Sequence, residues 1–165
     1  MFLKNYTSDI PVSQTAYRIE QVLIKCGAAG IAKEYAPAPP GTIAALSFQI
    51  ETPTGKISIR LPVAVDRAWQ ALWLDYADGD KLTPDGQQIF WNPRKKKVRA
   101  DFKEQAERTA WKIIQDWVEV QMSMIQLKQA DTLEVFLPYV YRDGQTTYQR
   151  LVASGCRGLL PETTT

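Results

Sequence analysis

The 165-residue chain contains no histidine. Histidine is the side chain that titrates near neutral pH, the most frequent general base and the commonest metal ligand. Its absence excludes His-based triads and the usual zinc sites. Asp, Glu, Lys, Tyr and Cys remain for chemistry. Cysteine is nearly as scarce. Cys26 and Cys156 stand far apart and form no CxxC pair. They read as two reduced thiols of a cytoplasmic protein, not as a disulfide scaffold. No histidine is present to activate either as a nucleophile. No run of about 18 apolar residues exists, so no membrane association is expected. The opening "MFLKNYTSDIPV" lacks the apolar core of a secretory signal. Net charge is also small, at +2, which does not point to a uniformly basic nucleic-acid protein.

What is present is an ordinary globular balance, 45% hydrophobic and 23% charged. The length fits a single domain over residues 1–165. Such a domain buries roughly two thirds of its unfolded surface and needs no metal or disulfide to hold it.

The residue pattern predicts an α+β fold. "SQTAYRIEQVLIKC" (13–26) carries Ala16, Ile19, Leu23 and Cys26 on one helical face. Ser13 is the expected N-cap and Gly27 the expected stop. Three strands follow, at 31–36, 42–51 and 56–61. The second alternates with one slip near Ala45, the mark of a bulge. "TPTG" (52–55) turns it into the third as a hairpin. "AVDRAWQALWLDY" (64–76) reads as a helix with Val65, Trp69, Leu72 and Trp73 or Tyr76 facing inward. Residues 77–93 are rich in Gly, Pro and Asp and read as a surface loop insertion. "DGDKLTPDG" within it does not fit a calcium loop, because Leu82 stands where an oxygen ligand is wanted.

A long helix is predicted from about 98 to 130. Ala106, Ala110, Ile113, Trp117, Val120, Met124 and Leu127 repeat at spacings of four and three, a heptad seam. Trp111, Ile114, Val118 and Ile125 widen the stripe, which suits packing on the protein's own sheet better than a bare coiled coil. A homodimer through the seam is the alternative use. At ~1.5 Å per residue the helix would be about 45 Å long. Asp131 or Thr132 then caps "LEVFLPY", "RDG" (142–144) turns, and "TTYQRLVAS" (146–154) forms a last helix.

The charge is unevenly placed. Residues 94–112 hold eight Lys/Arg against three acids, a balance of +5 that leaves the rest of the chain at −3. Arg94, Lys95, Lys96, Lys97, Arg99 and Lys103 form the dense part, with Phe90 and Trp91 just upstream. Cations in that density contact phosphates, and a loop tryptophan stacks on unpaired bases. The blander reading is a solvated helix start with Trp91 as an anchor. Lysines near a helix N-terminus oppose its dipole, at a cost of tenths of a kcal/mol. Trp69, Trp73, Trp111 and Trp117 fall on apolar stripes and read as core. The acids Glu51, Asp66, Asp75, Asp78 and Asp80 have no spacing that selects them for a metal. "SGCRG" lacks the GK[ST] of a phosphate loop, so no cofactor is expected.

The landmarks also carry a resemblance. "TAYRIEQVLIKCGA" is similar to a first helix of the type "T..EI..LL...GA". A hairpin ending "IRLPV" follows, then "QAERTAWKIIQDWVEVQMSMIQL", "FLPYV...DGQT" and "GLLP". Together they resemble a group of small uncharacterised proteins of bacteriophages and prophage-bearing bacteria. The resemblance implies a phage-linked cytoplasmic setting and carries over no catalytic residue. The expectation is therefore a non-catalytic phage-type accessory protein that engages DNA or RNA through Trp91, Arg94, Lys95, Lys96, Lys97, Arg99 and Lys103. The alternative is an inhibitor or adaptor that binds a host or phage protein.

Overall fold

The computed structural model describes residues 3–79, 97–157 and 159. Most of the 77–93 insertion, the site residues Trp91, Arg94, Lys95 and Lys96, and most of the tail lie outside them. The chain is α+β, with a three-stranded antiparallel sheet, a two-stranded hairpin and five α-helices among the described residues. Its packing divides it into two compact units. One comprises the described residues of Met1–Tyr17 and Val63–Trp117, the other those of Arg18–Pro62 and Val118–Thr165.

Helix α1 spans Val12–Lys25. It begins two residues earlier than a Ser13 cap predicts. Pro11 supplies the first carbonyl, accepting from the N–H groups of Gln14 and Thr15. Gly27 ends it as expected. It takes φ +86, and Ala28 N–H donates to the Leu23 carbonyl while Gly27 N–H donates to that of Ile24. This is the paired closure that satisfies the last carbonyls of a helix.

The second unit holds strands β1 (Gly30–Tyr35), β2 (Ile43–Thr52) and β3 (Gly55–Arg60) in the order β1-β2-β3. The anticipated bulge is real. Glu34 pairs with Ala45 but Tyr35 pairs with Ile43, so Ala44 is the extra residue. β2 and β3 join through Pro53-Thr54, with the Thr52 hydroxyl donating to the Gly55 carbonyl at 2.7 Å. Leu46 and Phe48 share one face of β2, and Ile59 stands opposite Phe48. That face is buried with Ile19 and Leu23 of α1 and with Val118, Met122 and Phe136. Phe136 meets Phe48 edge-on at 5.2 Å between ring centroids.

Helix α2 spans Val65–Gly79, so it takes in the first three residues of the predicted insertion. Helix α3 spans Lys103–Gln126, preceded by a 3₁₀ turn at Arg99–Phe102. The helix expected over 98–130 is thus shorter at both ends, about 36 Å at ~1.5 Å per residue. At its start, Lys103 N–H bonds the Ala100 carbonyl in the 3₁₀ pattern, and the Arg99 carbonyl accepts from the Trp69 indole. At its end, Lys128 takes the left-handed conformation at φ 56, and Gln129 N–H reaches back to the Met124 carbonyl. No glycine announces that stop.

In the first unit, Ala68 and Leu72 of α2 bury against Ala106 and Ala110 of α3, with Leu3, Val63, Val65, Trp69 and Phe102 around them. Alanines at three of the four central positions let the helices approach closely. The segment before α1 is strapped to α3. Asp116 takes Lys4 and Lys112 at 2.8 Å each and the Asn5 amide at 3.0 Å. The Gln105 amide donates to the carbonyls of Tyr6 and Ser8.

The chain closes with α4 (Thr132–Phe136), a 3₁₀ turn at Leu137–Tyr139, a hairpin of β4 (Tyr141–Arg142) and β5 (Gln145–Thr146), and α5 (Thr147–Ala153). Asp131 is the cap of α4, accepting from Leu133 N–H at 2.8 Å. Thr146 and Gln149 cap α5 reciprocally.

Candidate nucleic-acid interface

The helical period sets the first half of this site. Trp69, Trp73 and Tyr76 follow at steps of four and three, so one face of α2 carries three aromatic rings. The 3₁₀ turn adds Phe102. Its ring lies 6.2 Å from Trp73 and 5.2 Å from Tyr76, and Trp73 lies 5.9 Å from Tyr76. All four are half-buried. They are partly core and partly surface.

The cations of the basic run come down onto these rings. The Arg99 guanidinium sits 4.8 Å from the Trp69 ring centroid. The Trp69 indole N–H donates to the Arg99 carbonyl at 2.6 Å, so backbone and side chain of Arg99 clasp the same indole. The Lys97 ammonium lies 5.5 Å from the Phe102 centroid, and Lys97 N–H donates to the Tyr76 hydroxyl at 3.2 Å. A cation over a ring face gains roughly 0.5–1 kcal/mol at an exposed site. Lys97, Arg99 and Lys103 are exposed. No ion pair joins any of them to a carboxylate of a described residue. The nearby Asp101 is spent on Val98 N–H at 2.8 Å, and Glu104 on Arg108. Cationic charge therefore stays on the surface, held in place by aromatic faces instead of by acids.

Of the seven residues expected from the sequence, the structure describes Lys97, Arg99 and Lys103. It lays Arg99 on Trp69 and Lys97 on Phe102, two rings packed against the same core. Lys103 follows Phe102 directly as the first residue of α3. Trp91, Arg94, Lys95 and Lys96 lie outside the described residues. The sequence pattern assigns Trp69 and Trp73 to the core and gives Phe102 no role. The signal that singles them out is three aromatic rings, Trp69, Trp73 and Tyr76, along one helical stripe in a helix that precedes a basic run.

Other arrangements carry less. Among the described residues no three His, Cys, Asp or Glu side chains converge as a metal site would require. Both cysteines are free thiols. The second unit has a cleft of about 470 Å³ lined by Leu23, Phe48, Ile50, Met122, Ile125 and Leu133, with Cys26 at one side. Of its polar groups, Asp131 is committed to the α4 cap and Thr52 to the β2–β3 turn. No helix of the described residues is long and apolar enough to cross a membrane. Comparison with protein-family models, curated proteins and solved structures finds no match to this chain.

Proposed function

We propose that this protein binds nucleic acid without catalysis, through the basic run that begins α3. Lys97, Arg99 and Lys103 are its described cations; Trp91, Arg94, Lys95 and Lys96 complete it in sequence. The phage setting implied by the resemblance belongs to the same proposal. The observation that supports it is the pair of cations laid over half-buried rings with no carboxylate of a described residue neutralising them. Phosphate binding uses that kind of charge, because each neutralised phosphate releases condensed counterions. The test is binding of the purified protein to labelled single-stranded DNA, duplex DNA and RNA at ~50 and ~200 mM salt, the range over which phosphate-driven affinity falls most. Binding at the lower salt is expected to collapse at the higher. Substituting Lys97, Arg99 and Lys103 together by Ala is expected to abolish it. Absence of binding to all three at ~50 mM salt would sink the proposal.

The second reading, an adaptor for a host or phage protein, is favoured by three exposed apolar side chains of the second unit. Ile24, Val120 and Leu127 are 56%, 57% and 69% exposed. Scattered surface apolar residues are normal, so the basic run has the stronger claim. A protein interface built on these three would be far less sensitive to salt.

A further inference from the structure

The aromatic cluster says what form of nucleic acid the site would take. This step rests on the nucleic-acid reading above. Phosphates alone need cations and no rings. In a duplex the base faces are stacked on one another and out of reach, so rings at the surface add nothing to duplex affinity. An unpaired strand offers those faces, and stacking on aromatic or guanidinium planes is how sequence-tolerant single-strand binders use them. Here the guanidinium of Arg99 lies on the Trp69 indole at 4.8 Å, and the indole N–H is fixed on the Arg99 backbone. Arg99 is exposed while Trp69 beneath it is half-buried. The result is a planar cation seated on an indole that is itself anchored to the Arg99 backbone. A few residues away, Lys97 lies over the Phe102 ring, which packs against Tyr76.

We infer that the protein's ligand is a single strand, DNA or RNA, in which an unpaired base stacks on the Arg99–Trp69 plate while Lys97 and Lys103 take the flanking phosphates. The indole N–H is already spent on the Arg99 carbonyl, and stacking on a plane does not read the identity of a base. Affinity should therefore vary little with base identity.

The experiment compares three probes of equal phosphate number on the full chain. They are a thymidine strand of about 12 nucleotides, within the ~4–16 that small single-strand sites cover, an abasic strand of the same length, and a duplex. The thymidine strand is expected to bind at least about tenfold more tightly than the abasic one, the scale of one stacked base. Arg99→Lys keeps the charge and removes the plane. It is expected to remove most of the thymidine strand's advantage over the abasic one. Equal binding of thymidine and abasic strands, or a duplex bound as tightly as the thymidine strand, would overturn the single-strand inference and leave nucleic-acid binding standing. Failure of every probe at low salt would remove both.

Discussion

Asp116 shows how one side chain holds a terminus. Its carboxylate receives two ammonium groups and an amide from Lys112, Lys4 and Asn5. Burial by itself would raise its pKa. The Lys112, Lys4 and Asn5 hydrogen bonds and the Lys112 charge outweigh that and hold the carboxyl well below the ordinary carboxylate range. The folded pKa is therefore lower than the unfolded one. The stabilisation is complete above the unfolded value of about 3.9 and is lost as pH falls from there toward the folded one. Asp116→Asn is expected to lower the unfolding free energy by about 1–2 kcal/mol at neutral pH, the scale of a partly exposed charged hydrogen bond. Urea unfolding of both proteins at about pH 7 and about pH 3 checks the sign, because the gap must narrow as the wild-type carboxylate is protonated on unfolding. A gap of constant size would mean that Asn fails for steric reasons and that the charge is not what counts.

At the scale of the element, α3 separates two patterns that its sequence cannot. The heptad seam assigns Val120, Met124 and Leu127 to the buried side. The residues actually buried are Ala106, Ala110, Ile114, Val118 and Met122, one every four, joined by Thr109, Trp111 and Gln115 in the first unit. Both rows are wholly apolar and share Ala106 and Ala110, so hydrophobicity could not choose between them. The choice is made by what packs on each half of the helix, in each of the two units. Met122→Ala is expected to cost about 2–5 kcal/mol, since it empties a buried position. Val120→Ala is expected to stay within about 0.5 kcal/mol, as exposed positions do. Unfolding midpoints in urea decide between the rows, and the reverse order would restore the seam as the packed face. Elsewhere the elements were legible because chemistry marks their ends. Gly27 stops α1, Asp131 caps α4, and Thr-Pro-Thr-Gly turns the hairpin. The β4–β5 hairpin was not, because strands of two residues hold no period and its Asp143-Gly144 reads only as a turn.

For the molecule as a whole, what matters is where the charge lies, since its sum is only +2. The sequence made the cationic half of the candidate site visible as a run of like charges. It hid the aromatic half, because Trp69, Trp73 and Tyr76 at helical spacing satisfy a core stripe and a surface platform equally well. Only the half-buried state of all four rings and the cations resting on two of them separate the uses. The excess of acids over the rest of the chain is expected to have little influence on binding, because the Debye length is about 8 Å at physiological salt. Two triple variants test this. Lys97, Arg99 and Lys103 to Ala removes three positive charges from the patch. Lys25, Lys56 and Arg142 to Ala removes three from the second unit. Both make the same change in net charge. If the patch binds a single strand, the first variant lowers the slope of log affinity against log salt by about two, at ~0.7 for each phosphate that is no longer neutralised. The second leaves that slope as it was and shifts affinity little. Equal weakening by both would mean that the protein responds to nucleic acid by its total charge, and that the cations stacked on Trp69 and Phe102 serve only to fasten the start of α3.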